Sequence, residues 1–406
     1  MQPKIREVRT QPTVHQGRRG ILLTDPLGIS QAAIFMPHPL ALLLALMDGT
    51  RDIGTIRTGF ELRTGTPLSP TTLEQLLSAL DQALFLDNER FTQAYMAAIT
   101  DYRSAVSRPH TLPGRSCPSD PQELSAYLQQ YLDQVANANP CPDAEIKGLI
   151  SPHIDFPRGG PVYASVWAMA ATAVKEAELV VILGTDHMAA SGEVTLTRQN
   201  YQTPWGTIPT AQDVVNDVVR DVGDEVFRYE LHHRGEHSVE TAVLWLHHLL
   251  RDKQCPILPV LCGSFQPFID RGESPLRATL ISDTVAVLKR VAALRRTIVV
   301  AAADFAHVGP VFGDRAPLDA VGRARLAAHD QRLIDILSSA EAEHFFEAIR
   351  GEGDQTRICG LPPIYLMLSI LPGVKGSPTG YAQCPASEDG GSLVSICGMT
   401  YHSEAD

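Results

Sequence analysis

The sequence predicts an α/β protein, a mixed and mostly parallel sheet with helices on both faces, preceded by a small N-terminal α+β unit. Three observations predict it. From residue 147 onward, strand-like apolar runs (147–152, 179–184, 194–199, 257–262, 297–303, 392–401) alternate with helical stretches (161–176, 211–222, 238–252, 275–294, 317–338). Such alternation builds a sheet covered by helices. The chain has 406 residues, more than one compact core usually holds. Between the two parts, "AVSRPHTLPGRSCPSDPQ" (105–122) is rich in Pro, Ser and Arg and reads as a linker. The expected division is therefore 1–104, linker 105–122, and 123–406.

The N-terminal part is read in order. "RRGILLTDPLG" and "QAAIFMPHP" suggest a β-hairpin, and "PLALLLALMDGTRD" a helix stopped by Asp48-Gly49. "IGTIRTGFELRTG" is a second helix. "SPTTLEQLLSALDQALFL" is a third, with a Ser/Thr cap and Leu at helical spacing. "FLDNERF" then fits a wing-like turn, so the unit resembles a winged-helix or PqqD-like peptide-binding module. After the linker, "PQELSAYLQQYLDQVAN" is helical and leads into the alternating region.

Composition narrows the function classes. The formal net charge is −12, against the basic footprint that nucleic-acid binding requires. No apolar run nears the roughly 18 residues that span a bilayer, and the polar start "MQPKIREVRTQPT" has no apolar signal-peptide core. Neither nucleic acid nor membrane is an expected partner, and the cytoplasm is the expected location. Seven cysteines, an odd number without a CxxC pair, read as free thiols with one or two available to a metal. Neither GxGxxG nor GxxxxGK[ST] occurs, so a Gly-rich nucleotide cradle has no support.

Three strand-like runs end in titratable groups rather than ordinary turn residues. "IKGLISPHID" runs into His153 and Asp155, "LVVILGTDHM" into Asp186 and His187, and "VVAAADFAHVG" into Asp304 and His307. Ligands of open α/β sheets sit outside the carboxyl ends of the strands, and right-handed crossovers keep those ends on one side. The three clusters are thus expected to share one polar site, and neutral imidazoles suit iron, copper or zinc. A lone histidine is more often structural; three at equivalent strand ends are not. Cys359 sits on "CGLPP" just before an apolar helix, where a thiol is either a lowered-pKa ligand or a small buried hydrophobe. In "GEHSVETAVLWL", Ser238 as a cap with Glu236 and Glu240 at the positive end of a helix accounts for the acids but leaves His237 unexplained.

Together these fragments resemble the MEMO family, also called AmmeMemoRadiSam system protein B, over about 147–402. The resemblance rests on "SPHIDFPRGGPVYA", "ILGTDHM", "YQTPWGTIPT", "EHSVETAVLWL", "ILPVLCGSF", "AAADFAHVG", "RICGLPPI" and "YAQCPASEDGGSLVSICGMTY". It implies a fold similar to class III extradiol (LigB-type) dioxygenases. It implies metal ligands His153, His187 and Cys359, with Asp304, His307 and His237 as catalytic residues. Phe156 stands where the family usually has a tyrosine, and Met188 where it has a second histidine. The resemblance further implies a non-haem iron or copper redox enzyme acting on a small molecule or peptide, zinc being the other candidate metal, and a radical-SAM partner protein. Two readings from other classes stand beside it: a metal-free peptide- or phosphopeptide-binding module, and a zinc hydrolase.

Overall fold

The computed structural model describes residues 2–135, 145–189, 191–251 and 253–403; Cys141 lies outside them. The chain folds as two compact units, Met1–Ser104 and Ala105–Asp406.

The first unit opens with a three-stranded antiparallel sheet, β1 (Arg9–His15), β2 (Arg18–Thr24) and β3 (Ala33–Pro37), in that spatial order. The predicted hairpin is β2–β3, and β1 is an unannounced third strand. Gln16 and Gly17 both have positive φ (49° and 73°), the backbone that a two-residue hairpin turn requires. The run at Leu40–Leu46 forms a 3₁₀ helix rather than an α-helix. Helix α1 (Ile53–Thr64) is capped by Asp52, which accepts from Thr55 N at 2.7 Å, and α2 (Pro70–Gln82) by Ser69, which accepts from Thr72 N at 3.0 Å. The expected wing-like turn at "FLDNERF" is instead the start of α3 (Glu89–Ser104), with the Asn88 side chain accepting from Phe91 N. An asparagine cap and a turn share the same local signal, and here the cap wins.

The second unit begins with residues that the composition marked as a linker. They are built in: Arg108 has no exposed side-chain surface and forms an ion pair with Glu240. Proline and serine announced irregular backbone correctly, but a distant carboxylate, invisible locally, fixes its path. Helix α4 (Pro121–Val135) follows, then β4 (Ile146–Ser151), α5 (Phe156–Glu176), β5 (Leu179–Thr185), β6 (Val194–Leu196), the small hairpin β7 (Tyr201–Thr203) and β8 (Gly206–Ile208), and α6 (Gln212–Val222). Next come α7 (Ser238–Leu250), β9 (Ile257–Cys262), α8 (Gln266–Arg271), α9 (Thr279–Leu294), β10 (Thr297–Ala302) and β11 (His307–Val308). The chain continues with α10 (Ala320–Ser338), α11 (Ala342–Gly351), α12 (Leu361–Ile370), β12 (Val374–Pro385) and β13 (Leu393–Ser403).

The predicted mixed α/β sheet is present. Its order is β11-β13-β4-β10-β5-β9-β6, with β12 on β13. The central strands β4, β10, β5 and β9 run parallel, and antiparallel strands flank them. Helices cover both faces. In β5, Val180 and Ile182 pack in one apolar layer with Trp167 of α5 and Val243 of α7, while Val181 and Leu183 pack in the other with Leu288 of α9 and Ile364 of α12. A strand buried on both faces reads as an unbroken apolar run, as this one does. Strand β12 was not announced, because "VKGSPTGYAQCP" carries two glycines and two prolines.

One feature of the topology positions the site. β10 lies between β4 and β5, and Ala302 pairs with Ser151 on one side and Gly184 on the other. The three strand ends are therefore neighbours at one level. Among the described residues, no helix is long and apolar enough to cross a membrane.

Candidate metal centre

His153 follows β4, His187 follows β5, Asp304 follows β10, and Cys359 precedes α12. Gly360 lets the last of these approach. A Cβ there would lie 2.5 Å from the Asp304 carbonyl oxygen and 2.7 Å from Ala303 Cβ. Without one, Gly360 N donates to Asp304 O at 3.0 Å and Thr185 Oγ1 donates to Cys359 O at 3.1 Å. The thiol turn is thereby pinned to the ends of two strands.

The ligating atoms of His153, His187 and Cys359 all lie within 4.8 Å of one another, close enough to grip one ion. Cys359 Sγ is 3.4 Å from His153 Nε2. Both imidazoles are oriented from behind. His153 Nδ1 donates to Ala302 O at 2.9 Å, and His187 Nδ1 meets Glu236 Oε2 at 2.9 Å. Each Nε2 is left for the cavity, as metal-ligating histidines require. The residues fit a soft-to-borderline divalent or monovalent metal: two nitrogens, one sulfur and a polar backing for each ring.

Charges in the cluster support one another. Burial works against a charged His153, yet the Asp304 carboxylate and the Cys359 sulfur raise it to about 9. Burial likewise opposes a charged His187, and the Glu236 carboxylate outweighs it, holding the ring well above its ordinary value. Burial alone would lift the Cys359 thiol; the adjacent His153 charge and hydrogen bonds from both imidazoles bring it down to about 5. The sulfur is a thiolate at neutral pH, the form that binds metals.

Asp304, His307 and His237 surround this cluster. Asp304 Oδ1 accepts from His153 N at 2.8 Å and Ile154 N at 3.3 Å, and its Oδ2 lies 3.7 Å from His153 Nε2. His307 Nδ1 is 3.1 Å from both Phe305 O and Arg357 O, leaving Nε2 as the acceptor. The His237 ring stacks on His187 with centroids 5.2 Å apart and stands 5.6 Å from His153. All six predicted residues thus meet at one place. Five of them, all but Cys359, line a cavity of about 630 Å³ whose apolar wall includes Leu112, Ile154, Phe156, Val311, Phe312 and Val394. Phe156 packs edge-on against Tyr163 at 5.1 Å, and Tyr163 gives its hydroxyl to Ile154 O.

Other expectations are corrected. Asp186, expected at the shared site, does not line the cavity; its Oδ2 holds His232 Nδ1 at 2.8 Å. Asp155 does line the cavity, and from there it caps α5 and pairs with Arg158 at 2.6 Å. Ser238 does not cap α7: its hydroxyl donates to Thr185 O, and the cap is the Glu236 carboxylate, which accepts from His237 N and Ser238 N at 2.8 and 2.9 Å. Glu240 serves Arg108 rather than the helix end.

Glu236 is one member of the cluster that sequence reasoning did not tie to the histidines, since an acid just before a helix is explained by the helix alone. Arg357 is another. It has positive φ (56°), and its Nε donates to His307 O at 2.8 Å while its own carbonyl receives the His307 ring.

Residues 108–400 match the family described as "Memo-like protein". The chain belongs to that family. A MEMO1 family protein of Aquifex aeolicus is 27% identical over 415 residues, spanning 99% of this chain and all of that protein. Two others are 25% identical. The one from Methanosarcina acetivorans aligns over 58% of this chain and 76% of its own length, and the one from Thermus thermophilus over 77% and 88%. The Memo-like match opens at Arg108, inside the stretch whose composition reads as linker. The six site residues all fall within it.

Proposed function

We propose that this Memo-like chain is a metal-dependent oxidoreductase that holds one iron or copper ion on His153, His187 and Cys359. The observation that supports this reading is the approach of the Cys359 sulfur to two pre-oriented imidazoles at the ends of β4 and β5. When bound, such an ion supplies Lewis acidity and one-electron chemistry. The chain's own residues do the rest. The apolar wall takes a small, largely apolar molecule and excludes water. Nε2 of His307 accepts a proton from a hydroxyl of that molecule, and Arg357 keeps the ring in the accepting orientation. Asp304 holds the His153 backbone and keeps its second oxygen beside the ring.

The test is metal analysis of anaerobically purified protein, followed by oxygen uptake with catechol-type substrates. One iron or copper per chain and substrate-dependent oxygen uptake support the proposal. Stoichiometric zinc with no oxygen uptake, together with ester or amide cleavage, would favour the hydrolase reading. His307→Gln should keep the metal and lose about 10²- to 10⁴-fold in turnover; unchanged turnover removes His307 from the reaction.

Metal affinity should also depend on pH. The metal-free site carries protons on His153, with its pKa raised to about 9, and on His187, raised likewise. Ligands must shed protons to bind. Affinity therefore rises with pH, by roughly one to two decades per pH unit between about 6 and 8, and levels off above the raised histidine values. Calorimetry in buffers of different ionisation enthalpy reads the released protons directly. An affinity that falls as pH rises through this window contradicts the assignment.

A further inference from the structure

The segment that opens the second unit runs behind the metal centre, and its first buried side chain reaches the residues that orient His187. Arg108 is fully buried and lies over the Tyr201 ring, 4.9 Å from its centroid. Its guanidinium donates to Pro109 O at 3.1 Å and to three acceptors between His233 and Glu240. Nε donates to His233 O at 2.7 Å, Nη2 to Glu236 O at 2.6 Å, and Nη1 to Glu240 Oε2 at 2.5 Å. Glu240 in turn accepts from Thr111 N at 2.7 Å, Thr111 Oγ1 at 2.7 Å and Leu112 N at 2.9 Å. The strap is thus tied down at both ends of five residues, and the same ties immobilise the 233–236 turn. The next residues of the strap, Leu112 and Ser116, reach the cavity wall.

The carboxylate of Glu236 is where this matters. It is buried, and it serves three neighbours: the first amides of α7, His187 Nδ1, and His237 Nδ1 at 3.1 Å. A carboxylate so placed directs His187 Nε2 only while its own backbone stays fixed. The helix end holds it from the side-chain direction; Arg108 holds it from the carbonyl.

We propose that Arg108 is a positioning residue of the metal centre, fixing the 233–236 turn so that Glu236 presents His187 to the ion. This rests on the metal reading above and extends it to residues that touch no ligand atom. It also gives residues 108–112 a role: they are part of the metal centre's support. Arginine suits this place and lysine does not, because three acceptors lie in separate directions and only the planar fork reaches them together.

The experiment uses the full chain. Zn²⁺ affinity is measured by competition with a chromophoric chelator, and the Co²⁺–thiolate absorption band is recorded, for the wild type, Arg108→Met, Arg108→Lys and Tyr381→Phe. Tyr381→Phe is the control, since it removes a hydrogen bond to the buried Asp330, and neither residue lines the cavity. Arg108→Met is expected to bind Zn²⁺ about 10- to 100-fold more weakly, the usual cost of losing support behind a ligand. Arg108→Lys keeps the charge opposite Glu240 but not the fork, and is expected to weaken binding in the same direction and to shift the Co²⁺ band. It decides the matter if Arg108→Met does not fold. Tyr381→Phe should bind like the wild type. Arginine variants that lower the melting temperature but bind Zn²⁺ with wild-type affinity and an unshifted band would make Arg108 a purely structural residue and overturn the proposal. Wild-type protein that binds neither ion would overturn the metal centre itself and this inference with it, a distinct result.

Discussion

Cys359→Ser should leave a folded protein that no longer retains its metal. A serine hydroxyl is not deprotonated at neutral pH and is a hard donor, so the site loses its one anionic ligand. Against burial, the neighbouring His153 and His187 already bring the Cys359 thiol down to about 5, which favours its anionic form. Its replacement should lower affinity for soft and borderline metals by at least about 100-fold, beyond what loss of an outer support costs. The fold should survive, because Cys359 is only half-buried and its backbone contacts, Thr185 Oγ1 to Cys359 O and Gly360 N to Asp304 O, do not involve the sulfur. Metal content after gel filtration and far-UV circular dichroism read the two effects separately. Retained stoichiometric metal would remove Cys359 from the ligand set.

Trp167→Ala should have the opposite profile: large loss of stability with the ligand atoms untouched. Trp167 is fully buried on α5, in the layer that also holds Leu149, Ile182 and Trp245, and its Nε1 donates to Ser151 Oγ at 3.0 Å. Truncation empties that space and leaves the Ser151 hydroxyl without its donor. The expected cost is about 3–5 kcal/mol. Chemical denaturation followed by circular dichroism measures it, and a cost under about 1 kcal/mol would mean that the layer repacks around the gap. Because Ser151 lies two residues before His153, a smaller loss of metal affinity should accompany the change.

These two residues show which parts of the molecule were legible in the sequence. The β5 and β10 runs carry no polar residue but a terminal threonine, so their strand character and their burial on both faces could be read directly; β4 is apolar chiefly at Leu149 and Ile150. Their ends carry His153, His187 and Asp304, so a shared site followed from the rule that strands of an α/β sheet present their carboxyl ends together. The resemblance then added Cys359, which no spacing argument would have tied to residues some 200 positions earlier.

What could not be read is non-local and polar. Glu236 looks like a helix-end acid and becomes a bridge between two histidines only when β5 and α7 are packed. Arg108 sits in a stretch whose prolines and serines announce a loose connection, and only Glu240, more than a hundred residues on, makes it a buried anchor. The α3 start was mistaken for a turn because Asn88 serves either purpose locally. Strand β12 hid behind its glycines and prolines, which a partner strand as long as β13 tolerates at the sheet's edge.

The central claim is that two imidazole nitrogens and one thiolate sulfur grip a single ion. X-ray absorption of the zinc-loaded protein at the metal edge tests it most directly. The account predicts one sulfur at about 2.3 Å and two nitrogens at about 2.0–2.1 Å, with the sulfur shell missing in Cys359→Ser. A first shell of oxygen and nitrogen alone in the wild-type protein would contradict it.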